Sequence, residues 1–208
     1  MTDVSSAAEA VQAGDLVVYP TETVYGLGAD ALDSDAIERA FAAKGRDRSK
    51  PLSLGVPDAD AALSYVRPTE RAERFMREFL PGPVTVICER TDDVPDVLTA
   101  GSDRVGVRVP DHDLARELLA EAGPLTATSA NLSGRGSVTR VADLSEEFLD
   151  GVDAVLDVDA EHSSEAHQTQ SDDGETPGTE STVVDVANDE VIRRGANADA
   201  IEAWLREH

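Results

Sequence analysis

Lys44 and Lys50 are the only lysines of the chain, and Arg46 and Arg48 lie between them. Basic residues therefore stand at every second position from 44 to 50. If the segment is extended, all four side chains point the same way. Such a comb suits a polyphosphate or a carboxylate, because ammonium and guanidinium groups donate charge-assisted hydrogen bonds to both. A solvated basic loop balancing nearby acids is the alternative, but it does not explain why lysine occurs nowhere else. In Arg104-Val105-Gly106-Val107-Arg108-Val109, strand periodicity puts Arg104, Gly106 and Arg108 on one face and the valines on the other. That face suits a bound anion, the glycine leaving room for it; an exposed face with surface ion pairs is a fair rival.

Three further segments carry polar groups at unusual density. Thr126–Gly134 is a run of small hydroxyl and amide side chains after a short strand, offering donors to a nucleotide or phosphate, or a helix-capping turn. Pro20–Gly28 follows a strand and includes two glycines, which let backbone approach a ligand or make a tight strand-to-helix turn. Ser181–Asp185 leads to Val191–Gly195, a strand pair ending in Arg193 and Arg194. No cysteine–histidine pair is apparent as nucleophile and base. Cys88 sits in an apolar strand and reads as a small buried hydrophobe. Neither a GxxxxGK[ST] loop nor a GxGxxG fingerprint is present. The inventory is a cationic pocket for an anionic substrate without a covalent catalyst. That suits phosphoryl or nucleotidyl transfer, where positioning and charge stabilisation do most of the catalysis.

These segments need a scaffold, and the pattern around them alternates strands and helices, which argues α/β. Strands are expected at 16–19, 51–56, 84–88, 104–109, 125–128, 154–158, 182–186 and 191–193. Helices are expected at 34–44, 69–80, 114–122 and 139–149, with a last one after Asn197. The stretch 159–180 holds no Lys, no Arg and no large apolar side chain, and reads as an acidic flexible loop insertion; its His162 and His167 read as solvated residues rather than metal ligands.

The chain has 208 residues, enough for one domain over 1–208. With 42 acidic against 18 basic residues its formal net charge is −24, and 16 of the basic residues are Arg. The acids are spread along the chain rather than gathered in a tail. We read that as adaptation to a salt-rich cytoplasm, where salt screens the repulsion of dense carboxylates. No apolar run is long enough to span a bilayer, and the N-terminus lacks the features of a secretory signal. A single cysteine provides no disulfide framework. No membrane association is expected, and a broad basic face for nucleic acid is not evident.

Taken together and in order, the segments resemble the YrdC-like family, the threonylcarbamoyl-AMP synthases. The matching pieces are PTETVYGLG at 20–28, KGR at 44–46 with KPL at 50–52, PGPVT at 81–85, VGVRVP at 105–110, TSANLSG at 128–134, and Ser181–Asp185 with Arg193. They cover essentially the whole chain in its short, single-domain form. The resemblance implies a twisted mixed β-sheet flanked by helices, with a concave cationic ligand pocket. It implies that L-threonine, bicarbonate and ATP, with Mg²⁺ on the phosphates, give threonylcarbamoyl-AMP and pyrophosphate. The product serves threonylcarbamoyl modification of adenosine 37 in tRNA, through a downstream tRNA threonylcarbamoyl transferase. Lys44, Arg46, Ser129 and Asn131 match the family's Lys-x-Arg and Ser-x-Asn signature and are the implied catalytic set. Lys44, Arg48, Arg104, Ser129, Asn131, Ser137 and Arg193 are the implied ATP positions. Thr21, Ser53, Arg108, Ala127 and Ser181 are the implied threonine pocket, with Arg108 as partner of the carboxylate. No resident metal ligand is implied. Two rivals remain: a carbamoyladenylate-forming relative of hydrogenase-maturation proteins, and a double-stranded RNA-binding or ribosome-maturation module without catalysis. Any tRNA or double-stranded RNA contact is expected to be weak.

Overall fold

The computed structural model describes residues 2–157 and 178–208. In chain order, helix α1 (Val4–Gln12) leads to strands β1 (Val17–Tyr19) and β2 (Gly26–Gly28), then to helix α2 (Ser34–Lys44). Strand β3 (Ser53–Gly55), helix α3 (Ala59–Ala62), strand β4 (Val66–Arg67) and helix α4 (Glu70–Phe79) follow. Next come β5 (Val84–Arg90), α5 (Asp96–Thr99), β6 (Arg104–Arg108), α6 (Asp113–Ala122) and β7 (Leu125–Ser129). The chain continues through α7 (Glu146–Leu149), β8 (Ala154–Val155), β9 (Thr182–Asp185), β10 (Glu190–Arg193) and α8 (Ala198–Glu207).

Among the described residues the strands form one mixed sheet in the order β10-β9-β5-β6-β3-β7-β2-β1-β8, with β4 also on β5. The β1–β8, β3–β6 and β5–β9 pairs are parallel and the other neighbours antiparallel. Period-two alternation explains how one sheet has two unlike faces. Val105 and Val107 of β6 and Leu54 of β3 join the larger core. On that side α2 contributes Ile37, Ala40 and Phe41, α4 contributes Phe75 and Met76, and α8 contributes Ile201 and Trp204. The opposite face is divided. Over β1 and β7 it is covered by α1 and α6, whose Ala7, Val11, Leu118 and Leu119 pack on Val17, Tyr19 and Leu125. Over β3, β5, β6 and β9 it is open and lines a cavity.

Several expected elements differ in detail. Thr139 does not cap a long helix. A short 3₁₀ turn at Val141–Asp143 precedes α7, which is capped by the Ser145 side chain instead. Asn197 occupies the N-cap position of α8 in a left-handed conformation, yet its side chain makes no capping hydrogen bond. The 44–50 segment is not an extended comb. Lys44 is the last helical residue of α2, Gly45 reverses the chain at φ +54°, and 47–50 turn through an Asp47–Ser49 hydrogen bond. Helix α1 and strand β2 are not evident from the sequence pattern. Most of the 159–180 stretch, including His162 and His167, lies outside the described residues.

Candidate functional site

The cavity has a volume of about 670 Å³ and lies on the open sheet face, within the range of small-molecule sites. Six basic side chains line it (Lys44, Arg46, Arg104, Arg108, Arg135 and Arg193) against two acids, Glu180 and Asp185. In a chain of net charge −24, this concentration of cations is local and built by the fold.

Each cation is delivered by a definite piece of backbone. The C-terminal turn of α2 points Lys44 inward, where the residue is 2% exposed. Its Nζ donates to the backbone oxygens of Ser129 and Asn131, the latter at 2.8 Å. The Ser133 N–H donates back to the Lys44 carbonyl at 2.8 Å, tying the 129–133 segment to the helix end. An ammonium has three donors, so one N–H remains for a ligand. Burial, helped by neighbouring Arg46 and opposed by Glu180, pushes the Lys44 pKa down to about 8. Arg46 folds back, Nε donating to the Lys50 carbonyl and Nη2 to that of Pro51, both at 3.0 Å. Its pKa is lowered chiefly by burial and then by Arg193.

Strand β6 supplies Arg104 and Arg108, with Gly106 between them. A Cβ at Gly106 would lie 2.8 Å from both Ser53 Oγ and Thr85 Cγ2, so the glycine is what lets neighbouring hydroxyl-bearing residues close over the strand. Arg104 holds Asp185 through both carboxylate oxygens, one at 2.6 Å, and Arg104 keeps that carboxyl below the usual range. Arg108 is 6% exposed. Its Nη1 donates to the Gly82 and Val84 carbonyls, and its Nη2 to Glu22 Oε1 at 2.8 Å and to Thr23 Oγ1 at 3.4 Å. Burial pulls its pKa down, and Glu22 opposes this. The register of β10 shifts between Val191 and Arg193, which leaves Ile192 54% exposed. Arg193 returns to Ser181, donating to its carbonyl at 2.9 Å and its Oγ at 3.1 Å, and pairs with Glu180 at 2.8 Å. Glu180 also accepts from Ser137 Oγ at 2.5 Å.

Thr21, Ser53, Ala127 and Ser181 line the same cavity as Lys44, Arg46, Arg104, Arg108, Ser129, Asn131 and Arg193. Thr21 Oγ1 donates to the Val24 carbonyl at 2.6 Å, and Ser181 Oγ lies 3.0 Å from Thr85 Oγ1. Asn131 Nδ2 donates to the Leu132 and Arg135 carbonyls, while its Oδ1 is buried with no partner among the described residues. Two expected positions lie apart from the lining. Arg48, beyond the Gly45 reversal, is exposed and paired with Glu38. Ser137 touches the cavity only through Glu180. The free carboxylate fork expected of Arg108 is also occupied, by Glu22, Thr23 and two carbonyls. Tyr19, Thr85, Glu180 and Asp185 also line the cavity; Thr85 and Asp185 belong to segments that the sequence singles out, but none of the four is among the expected site residues. Asp185 shares the parity of Ser181 along β9, and Thr85 lies opposite Arg108 across the β5–β6 pair; the places of Tyr19 and Glu180 follow only from the order of the strands. Among the described residues no group of three or more His, Cys, Asp and Glu could hold a metal ion.

The Sua5/YciO/YrdC family model, described as "Telomere recombination", matches residues 9–195. The threonylcarbamoyl-AMP synthase of Pyrococcus abyssi is 38% identical over 183 residues, covering 86% of this chain and 49% of that protein. The threonylcarbamoyl-AMP synthase of Bacillus subtilis is 37% identical over 209 residues, covering 97% of this chain and 56% of that protein. The chain thus spans about half the length of these two relatives. A crystal structure of P. abyssi Sua5 complexed with L-threonine superposes with a TM-score of 0.79 at 36% identity, over 92% of this chain and 54% of that one. With residues 9–195 matched by its model and the same fold in its relatives, this chain belongs to the Sua5/YciO/YrdC family.

Proposed function

We propose that the chain is a threonylcarbamoyl-AMP synthase, a nucleotidyltransferase that makes threonylcarbamoyl-AMP and pyrophosphate from L-threonine, bicarbonate and ATP. The observation that carries this is the single cavity in which six basic side chains meet small hydroxyl and amide groups. The names of the relatives and the threonine bound to P. abyssi Sua5 support the choice of substrate. In the reaction the threonine nitrogen bonds to the carbon of bicarbonate with loss of water, or to that of CO₂ with loss of a proton, and becomes a carbamate. A carbamate oxygen then attacks the α-phosphorus of ATP, and the bond to the β-phosphate breaks to release pyrophosphate. The chain's part is to position the reactants and offset charge.

Lys44, with one N–H left over, and Arg46 face the phosphates. Arg104, Ser129, Asn131 and Arg193 serve the nucleotide side. Thr21, Ser53, Arg108, Ala127 and Ser181 form the threonine end. Ser137 acts through Glu180, and Arg48 contributes at most from outside the cavity. The cavity carboxylates are engaged by arginines, so Mg²⁺ enters as part of the MgATP substrate rather than on a protein ligand set. We place the activity in the cytoplasm, upstream of a transferase that moves the threonylcarbamoyl group to tRNA.

The test is direct. Purified protein in molar KCl receives ATP, Mg²⁺, bicarbonate and each amino acid in turn, with pyrophosphate measured and the adenylate sought by mass. Threonine-dependent pyrophosphate with the threonylcarbamoyl adenylate is expected. A folded sample that binds ATP but releases pyrophosphate with no amino acid would overturn the proposal and favour an RNA-binding role.

A further inference from the structure

Tyr19 is a feature of the cavity that the roles above leave unused. It is the last residue of β1, is 2% exposed, and still lines the cavity. Its ring lies across β2: a Cβ at Gly26 would come within 2.9 Å of Tyr19 Cζ, and one at Gly28 within 3.1 Å of Cε1. The two glycines of the 20–28 motif are therefore the bed of this ring. The hydroxyl has no hydrogen-bond partner among the described residues, although it is close enough to Arg108 and Glu22 to sense both charges. Nor is it sealed off, unlike Glu22 Oε2 and Asn131 Oδ1, which are fully buried and unpartnered among the described residues. Burial pushes its pKa up to about 12, so near neutrality it keeps its proton and can donate it.

Arg108 shows why a second donor is needed there. Both of its terminal nitrogens are engaged by Gly82, Val84, Glu22 and Thr23. Among the described residues only its Nε is without a hydrogen bond. A carboxylate offers two oxygens, and one N–H answers only one of them. We propose that the Tyr19 hydroxyl donates to the carboxylate of the amino-acid substrate beside Arg108, completing a two-donor clamp that leaves the Arg108–Glu22 pair intact. This rests on threonine being the ligand of that end of the cavity.

The experiment compares wild type with Tyr19→Phe, which keeps the ring on Gly26 and Gly28 and removes only the unpartnered hydroxyl. L-Threonine is titrated into each by calorimetry, and threonine KM, ATP KM and melting temperature are measured alongside. A hydrogen bond to a charged group corresponds to roughly a 10- to 100-fold change in affinity. The clamp predicts that rise in threonine Kd and KM, with ATP KM and melting temperature unchanged. Equal threonine Kd in the two proteins overturns the proposal, as does a weakening matched by a fall in melting temperature. If the wild type binds threonine but releases no pyrophosphate, the synthase reading fails while the comparison still decides the role of Tyr19. If the wild type binds no threonine, both fall.

Discussion

Lys44 reads from sequence as one member of an extended cationic comb, but the fold makes it the buried last residue of a helix. Its pKa near 8 gives two opposite pH trends. If Lys44 meets the phosphates as proposed, its ammonium is what binds them, and ATP affinity should weaken as pH rises through about 8. Stability should move the other way. The unfolded lysine keeps its proton to its ordinary value of 10.5, so the unfolded state binds more protons between about 8 and 10.5. Over that window folding stability rises with pH. Titrating ATP binding and melting temperature across this range checks both signs. Lys44→Met should lower turnover on the order of 100-fold or more and flatten the pH dependence. It should also cost about 1–3 kcal/mol, because the Ser129 and Asn131 carbonyls lose their donor. A variant that keeps wild-type turnover would remove Lys44 from the phosphate site. Glu180 makes the complementary case, since it sits among Arg193, Lys44 and Arg46 as an anion that incoming phosphates must rival. Glu180→Gln should tighten ATP binding a few-fold, a modest effect because the residue is partly exposed and screened. Weaker binding by calorimetry would instead make Glu180 a needed part of the nucleotide site.

At the scale of elements, β6 shows why much of the site is legible in the sequence. Its alternation sets valines in the core and Arg104, Gly106 and Arg108 on the cavity face. Strand parity is a local property, so a single sequence reveals it. Gly106→Ala should cost about 1–3 kcal/mol by overpacking against Ser53 and Thr85 and should raise threonine KM. Thermal melts and steady-state kinetics read both, and an unchanged KM would separate this floor from the substrate. The 44–50 segment was illegible for the opposite reason. A left-handed glycine after a helix redirects everything beyond it, so Lys44 and Arg48 end on different surfaces although they are four residues apart. Thr139–Leu149 failed similarly: a capping residue and a few apolar positions fit a helix start at either Thr139 or Ser145, and packing of Phe148 selects the later one. Tyr19 and Glu180 needed strand order itself, which depends on contacts distant in sequence.

For the whole molecule, the net charge of −24 works against the compact state wherever it is unscreened. Melting temperature and activity should both rise as KCl increases from dilute buffer toward molar concentrations. Full stability at low ionic strength would contradict the reading of the acidity as salt adaptation. Strong salt poses a separate problem for a site that binds anions. An open basic groove sheds condensed counterions when a polyanion docks, and its affinity falls steeply with ionic strength. This cavity is different, because Arg104, Arg108 and Arg193 already carry Asp185, Glu22 and Glu180 as tethered partners. An ATP phosphate entering beside Arg104 and Arg193 should therefore compete with Asp185 and Glu180 rather than with dissolved anions, so that few ions return to bulk solvent. A logarithmic plot of ATP affinity against KCl should then be nearly flat, and the site would keep its grip in strong salt.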